Sequence, residues 1–179
     1  MHVLVTRRLT LRPPIAFDAD EIALWLANWN VARMLGPVPF PYHRMDAEEW
    51  IAGLADKPEG LVYTIHRERL IGAVGIEGGG PEPRLGYWLA EPWHGKGFMT
   101  EAARSLLAYA FETRGVEAVS SSVFVDNPAS LRVQEKLGFA VTGLGEIWSR
   151  PRGTPVSALT TRLAAAEFGK RLPTARSAA

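Results

Sequence analysis

The fold of this chain is decided around residues 86–101, which read GYWLAEPWHGKGFMTE. The segment begins as an apolar, strand-like run and passes through a turn with glycines at positions 95 and 97 into a helical pattern. A helix that begins directly after such a turn presents unpaired backbone N–H groups and the positive end of its dipole. The segment therefore predicts a site for an anionic group such as a pyrophosphate.

The two glycines alone do not complete a known phosphate-binding motif. A dinucleotide-binding fingerprint would have a third glycine at position 100, where this chain has Thr100. A nucleoside triphosphate loop would have Ser or Thr after Lys96, where this chain has Gly97. An anion site and an ordinary strand-to-helix turn both remain open at this point.

The patterns on either side of the turn predict an α/β (α+β) domain. An amphipathic first helix carries Ile22, Trp25, Leu26 and Trp29 at helical spacing. Further helices follow the proline-rich loop 36–42, the glycine turn and Asn127, which is predicted as an N-cap because Pro128 follows it. The element order indicates helices around a mostly antiparallel sheet whose two central strands diverge after the glycine turn. Seven strands are predicted, at residues 9–13, 61–66, 70–76, 85–90, 119–125, 140–148 and 156–163.

Bulk composition narrows the class of protein. A chain of 179 residues is the size of one domain, which we expect over residues 1–172, with a frayed tail at 173–179. The net charge of +1, with scattered basic residues, argues against a nucleic-acid partner. No apolar stretch approaches the ~20 residues of a membrane span, so no membrane partner is expected and a cytoplasmic location is predicted.

The residue types also limit the chemistry. Cysteine is absent, which excludes disulfides and a cysteine nucleophile. Four histidines occur without paired ligand spacing, so no metal is expected. The chain has no Gly-x-Ser-x-Gly elbow of a serine hydrolase.

A second segment, residues 126–139, reads DNPASLRVQEKLGF and makes the interpretation specific. In this order and spacing, the two segments resemble the acyl-CoA-binding motifs of the GNAT acyltransferase superfamily. The whole chain resembles its branch of ribosomal-protein N-terminal acetyltransferases. The resemblance implies a mixed sheet of about seven strands with helices on both faces, and strands that splay at the acyl-CoA site. It also implies acetyl-CoA as co-substrate and direct transfer of the acetyl group to an amine.

The resemblance assigns the donor site residue by residue. It implies that backbone amides of the turn cradle the CoA pyrophosphate, that the preceding strand pairs with the pantetheine, and that Leu89 N–H faces the thioester oxygen. His94 and Met99 depart from the family pattern, and Met99 is expected to pack in the core. Lys96 is the preferred phosphate contact, whereas Arg132 and Lys136 either reach phosphates or lie on a solvated helix face. The implied cofactor-binding residues are Tyr87, Trp88, Leu89, Ala90, His94, Gly95, Lys96, Gly97, Phe98, Met99, Thr100, Asn127, Ser130, Arg132 and Lys136.

The resemblance leaves the acid and the base of the reaction open. Most members of the superfamily outside this branch carry a tyrosine acid four residues after the position of Ser130, and this chain has Gln134. Ser130, or water, is then expected to protonate the thiolate. Many relatives also carry a glutamate where Arg84 stands. The base candidates that remain are Glu77, Glu82, Glu146 and His66.

The acceptor side is expected along the loop 36–42 and nearby aromatic residues, although aromatic side chains are also common in cores. Arg84 suggests an acidic acceptor or a partner carboxylate. The predicted substrate-binding residues are Trp29, Phe40, Tyr42, Arg84 and Trp148, with Trp25 beside them.

The predicted function is that of an acetyl-CoA-dependent N-acetyltransferase acting on a protein N-terminus or a small-molecule amine, as a monomer or homodimer. One alternative is a catalytically silent acyl-CoA sensor or interaction module. Another is an ordinary nucleotide-binding enzyme.

Overall fold

A computed structural model describes residues 2–57, 59–78 and 82–170 of the chain, so the predicted tail at 173–179 lies outside the described residues. The strands are β1 (Leu4–Val5), β2 (Thr10–Arg12), β3 (Leu61–His66), β4 (Leu70–Glu77), β5 (Arg84–Leu89), β6 (Ala118–Phe124), β7 (Ala140–Ser149) and β8 (Thr154–Ala164). The helices are α1 (Ala19–Leu26), α2 (Trp29–Ala32), α3 (Arg44–Gly53), α4 (Phe98–Thr113) and α5 (Pro128–Leu137).

All eight strands form one sheet in the order β1-β2-β3-β4-β5-β6-β8-β7. Every neighbouring pair is antiparallel except β5 and β6, which run parallel. The predicted mixed, mostly antiparallel sheet is therefore confirmed. It has one strand more than predicted, because the two-residue β1 is too short to produce a recognisable alternation.

Helices cover both faces of this sheet, as predicted. Tyr87 and Trp88 are neighbours in β5, so their side chains point to opposite faces. Tyr87 packs against the larger core, to which α4 contributes Phe98, Leu106 and Leu107. Trp88 packs against a second cluster that is built from α1, α2 and the chain around α3. Each face of β5 thus has its own apolar cover.

The central strands β5 and β6 diverge, which confirms the predicted splay. They share a single register pair, Arg84 with Ser120, whereas β4 and β5 share six. Beyond that pair the link passes through side chains, because Ser121 Oγ donates to the carbonyl oxygen of Leu85 at 2.9 Å. The result is a V-shaped split whose closed end lies at Arg84 and Ser120.

The predicted first helix is divided in two. α1 ends at Leu26, and the side chain of Asn28 accepts the N–H of Asn30 at 2.9 Å as the cap of α2. The amides of Asn28 and Asn30 also donate to Glu91, at 2.6 and 3.0 Å. Since Glu91 directly precedes the glycine turn, α2 is held against the mouth of the split.

The loop that follows α2 is attached to the end of the β7–β8 hairpin. Arg150 N–H donates to the carbonyl of Gly36 at 2.8 Å, and Arg152 Nε donates to the carbonyl of Arg33 at 2.7 Å. Arg152 also pairs with Asp126 at 2.9 Å, just after β6. These contacts place the aromatic loop and the hairpin side by side, on the β6 side of the split.

Candidate active site

The glycine turn has the backbone conformation that an anion cradle requires. Gly95 has φ +74° and Gly97 has φ +77°, a region that residues with a side chain rarely adopt. The first intrahelical hydrogen bond of α4 runs from Glu101 N–H to Gly97 O at 3.1 Å, so the N–H groups before Glu101 have no acceptor within the helix. Phe98 and Met99 bury their side chains in the core, as expected for Met99. At both positions, only the backbone remains for a ligand.

The turn is flanked by two cations, one of which was not predicted. Lys96 is exposed, and its Nζ donates to the carbonyl of Pro92 at 2.8 Å. Arg8 donates to the carbonyl of Lys96 at 3.1 Å and pairs with Glu101 at 2.6 Å. Arg8 is missed from the sequence because nothing in the local pattern of residues 7–12 points to a turn almost ninety positions later.

The carboxylate of Glu101 anchors this arrangement. Burial disfavours its charged form, but hydrogen bonds from Thr6 and Arg8 outweigh that effect, and they hold the pKa of Glu101 below its ordinary value. Thr6 Oγ1 donates to Glu101 at 2.7 Å, and the backbone N–H of Arg8 donates at 3.0 Å. The start of α4 is therefore fixed to the segment between β1 and β2.

The end of β5 presents its backbone toward the split. Ala90 N–H donates to the carbonyl of Ile71 in β4 at 2.8 Å, and because backbone groups alternate along a strand, Leu89 N–H points the other way. His94 Nε2 lies 2.7 Å from the carbonyl oxygen of Leu89. A carbonyl can only accept, so Nε2 is the donor. The histidine thus holds the carbonyl of Leu89, the residue whose N–H the family resemblance assigns to the thioester oxygen.

Across the split, Asn127 and Ser130 form one unit at the start of α5. Asn127 Oδ1 accepts the N–H of Ser130 at 3.1 Å, which is the N-cap interaction predicted for it. The hydroxyl of Tyr87 lies 2.8 Å from Ser130 Oγ. The side chain of Tyr87 therefore spans from β5 to α5 and meets the serine predicted to lie near the sulfur.

The phenol of Tyr87 is kept in its protonated form. Burial raises its pKa, and hydrogen bonds to Ser130 and Gln134 only partly oppose that shift. The sequence comparison used only the backbone of Tyr87. Its hydroxyl was missed because the partner lies 43 positions later and on another element.

Gln134 has a different role from the tyrosine that many relatives carry at its position. It is 1% exposed. Its Nε2 donates to Ser121 Oγ at 3.0 Å, and its Oε1 accepts from Thr161 Oγ1 at 2.7 Å. These contacts hold Gln134 inside the core beneath the split, and link α5 to β6 and β8.

The four predicted base candidates lie elsewhere. Glu77 pairs with Lys57 at 3.2 Å, and Glu82 pairs with Arg162 at 2.7 Å. Glu146 lies on β7, with β6 and β8 between it and β5, and His66 Nε2 lies 3.0 Å from Thr64 Oγ1. All four belong to the described residues, and none has a hydrogen bond there to Tyr87 or Ser130.

The predicted acceptor residues divide into two groups. Trp29 and Phe40 pack edge to face, with ring centres 4.9 Å apart, and both are exposed, as is Trp148. Tyr42 instead lies in the second core, 7% exposed, and Trp25 donates its indole N–H to Leu70 O at 3.0 Å. Tyr42 and Trp25 therefore pack the loop and α1 against the sheet, and they do not belong to the exposed group.

The charged residues predicted on β5 and α5 are exposed. Arg84 donates to Ser122 Oγ at 2.9 Å across the closed end of the split. Arg132 and Lys136 lie on the surface of α5, where only the backbone carbonyl of Lys136 is engaged, by Arg104 at 2.9 Å.

Within residues 2–57, 59–78 and 82–170, no helix is long and apolar enough to cross a membrane. No group of three or more potential metal-binding side chains occurs there either.

Comparison with known proteins identifies the family. A model described as "Acetyltransferase (GNAT) domain" matches residues 8–140. The uncharacterized N-acetyltransferase YoaA of Bacillus subtilis (strain 168) is 28% identical over 161 residues, which cover 86% of this chain and 91% of YoaA.

Solved structures agree at the level of the fold. The ribosomal-protein-S5-alanine acetyltransferase of Vibrio fischeri superposes with a TM-score of 0.82 at 15% identity, over 94% of this chain and 99% of that one. RimL, described as a ribosomal L7/L12 alpha-N-protein acetyltransferase in complex with coenzyme A, gives a TM-score of 0.79 at 16% identity, over 91% and 98%. The chain belongs to the GNAT acetyltransferase family and is an acyltransferase.

Proposed function

We propose that this protein is an acetyl-CoA-dependent N-acetyltransferase that passes the acetyl group directly to a primary amine, either a protein N-terminus or a small-molecule amine. One observation carries the proposal: the split between β5 and β6 has the glycine turn at its open end and the Tyr87–Ser130 pair inside it. A phosphate cradle, an exposed strand backbone and a proton donor are thereby arranged along one path.

The fit to an acyl-CoA follows from the backbone. The N–H groups between Gly95 and Thr100 would hold the pyrophosphate, with Lys96 and Arg8 adding positive charge. The peptide groups of Tyr87 and Leu89 face the split and would pair with the amides of the pantetheine arm. When bound, the donor supplies an activated acetyl group as a thioester.

The chain's own residues would act at both ends of the thioester. The N–H of Leu89, whose carbonyl is held by His94, is the proposed donor to the thioester oxygen. The amine nitrogen bonds to the carbonyl carbon and loses one proton to water as the C–S bond breaks, and the leaving sulfur takes a proton. Ser130 is the proposed donor of that proton, and Tyr87 replenishes it through their 2.8 Å hydrogen bond.

The proposed acceptor is an amine of low basicity. An α-amine with a pKa near 8 costs about 1 kcal/mol to deprotonate at pH 7, whereas a lysine side chain costs about 4.6 kcal/mol. Water can deprotonate the first without a fixed carboxylate. Glu77 and Glu146, the bases predicted for a more basic acceptor, form no hydrogen bond to Tyr87 or Ser130 in the described part of the chain, which favours the less basic α-amine.

Calorimetric titration with acetyl-CoA, followed by a thiol-release assay over a panel of amines, tests the proposal. We expect binding, and thiol release that depends on the added amine. Absence of binding at millimolar acetyl-CoA would overturn it.

A second candidate function is a silent acyl-CoA-binding module. Gln134 favours it, because the family resemblance implies a tyrosine acid there outside this branch and this chain uses the position for packing. Acyl-CoA binding without turnover of peptide, polyamine, aminoglycoside or small-amine acceptors would support the module and reject the enzyme.

A further inference from the structure

A cavity of about 230 Å³ lies beside the closed end of the split. Ser121 reaches Leu85 and, through Gln134, helix α5. Its neighbours Ser120 and Ser122 therefore point to the opposite face, away from α4 and α5. The cavity is lined by Glu82, Arg84, Ser120, Ser121, Ser122, Thr142, Thr160, Thr161 and Arg162.

The lining residues all have polar or charged side chains, and two arginines face a single glutamate among them. Arg162 is neutralised by Glu82 at 2.7 Å. Arg84 has no carboxylate within 4.0 Å among residues 2–57, 59–78 and 82–170, which include every Asp and Glu side chain. Glu77, which faces Arg84 across β4 and β5, is engaged by Lys57 at 3.2 Å. One guanidinium therefore remains available to an anion, with hydroxyl groups around it.

The guanidinium of Arg84 lies on the same strand as the proposed reaction centre. Arg84 reaches Ser122, two residues beyond the last paired rung, so its charged end lies level with Gly86. A Cβ at Gly86 would meet nothing within 4 Å, which leaves open space there. Tyr87 and Leu89 follow within three residues, a distance of about 10 Å along a strand.

We propose that this cavity is an acceptor subsite for a carboxylate, and that the substrate class is an amine that bears an acidic group about 10 Å away. A protein N-terminus with Glu at its third position has that geometry, since an extended chain advances about 3.3 Å per residue and the side chain adds the remaining distance. The Arg84 guanidinium and the hydroxyls of Ser120 and Thr160 would bind the carboxylate. This inference rests on the proposed N-acetyltransferase function.

The test uses two peptides of equal length that differ only by Glu or Gln at the third position. We expect wild-type kcat/KM to favour the Glu peptide by about tenfold. Arg84→Gln should abolish this preference, and Glu82→Gln should increase it, because the cavity loses its only carboxylate. Arg44→Gln is the control. It removes one positive charge, as Arg84→Gln does, but from the exposed surface of α3, and it should leave the preference intact.

Binding is measured in parallel, so that the outcome does not depend on turnover. The N-acetylated Glu and Gln peptides are titrated calorimetrically into the protein in the presence of CoA. Equal binding of the two, or no binding of either, overturns the carboxylate subsite. The proposed function fails separately, if acetyl-CoA itself does not bind.

Discussion

By the proposed function, proton donation to the sulfur depends on Ser130 and Tyr87 and not on the residue at position 134. Many relatives carry a tyrosine at the position of Gln134, but here that side chain is buried between Ser121 and Thr161. The phenol of Tyr87 instead lies 2.8 Å from Ser130 Oγ, on the opposite side of the split from α5. By the proposed function, Ser130 on helix α5 donates the proton, and Tyr87 on strand β5 replaces it.

Replacing Tyr87 by Phe should reduce kcat about tenfold, with little change in acetyl-CoA affinity. The expected loss lies below the usual range for a general acid, because a thiol with a pKa near 8.5 is already a fair leaving group. Steady-state kinetics and calorimetry measure the two quantities. Tyr109→Phe on α4 is the matched control, and an equal loss of kcat in both variants would contradict the role of Tyr87.

At this scale, the sequence predicts a residue well when its role is local. Asn127 as an N-cap and Met99 as a core residue follow from their immediate neighbours, and both are confirmed. Arg8 and the hydroxyl of Tyr87 were missed because each acts on a residue that is distant in the chain. Such contacts depend on the strand order, which a single sequence specifies only through its family resemblance.

At the scale of elements, the turn before α4 depends on two glycines with positive φ. A Cβ at Gly97 would lie 3.5 Å from the nearest Arg8 nitrogen, so space is not the constraint. The constraint is conformational, because the left-handed region costs a residue with a side chain about 1–2 kcal/mol. Any relaxation there would also redirect the N–H groups of the turn.

Gly97→Ala should therefore lower the free energy of unfolding by about 1 kcal/mol and weaken acetyl-CoA binding. Urea unfolding and calorimetry give the two values. Gly53→Ala at the end of α3 is the control, because its Cβ meets nothing within 4 Å and it should slightly stabilise the protein. Unchanged acetyl-CoA affinity in Gly97→Ala would argue against the cradle.

Whether a segment is a helix or a strand was predicted more reliably than where one helix ends and the next begins. The long strands and both helices around the split were predicted from periodicity and capping residues, and the structure confirms them. The break between α1 and α2 was missed because Trp29 continues the helical spacing of Trp25 and Leu26, so that the pattern predicts one helix. A cap at Asn28, strengthened by its contact with Glu91, starts a new helix there.

At the scale of the whole molecule, Tyr42 connects the loop 36–42 to the second core. Burial, with a contribution from Asp46, raises the pKa of Tyr42 to about 12. In the unfolded chain the phenol ionises near pH 10, so the folded state is favoured below pH 10 and loses that advantage as pH rises toward 12.

We therefore expect the melting temperature to fall between pH 10 and pH 12, and to fall less in Tyr42→Phe. Burial also raises the pKa of Tyr63 and Tyr87, so part of the alkaline loss should remain in the variant. Comparison of both proteins at pH 8 isolates any effect of removing the hydroxyl. Identical slopes above pH 10 would contradict the assignment to Tyr42.

The single rung between Arg84 and Ser120 gives the molecule an unusual mechanical character. One rung joins a half-sheet of five strands to a half-sheet of three, so the joint relies on side chains such as Ser121 and Gln134. A donor lying between β5 and β6 would brace both halves along its length. By the proposed function, the substrate is then also a structural part, and the stiffness of the enzyme rises and falls with each turnover.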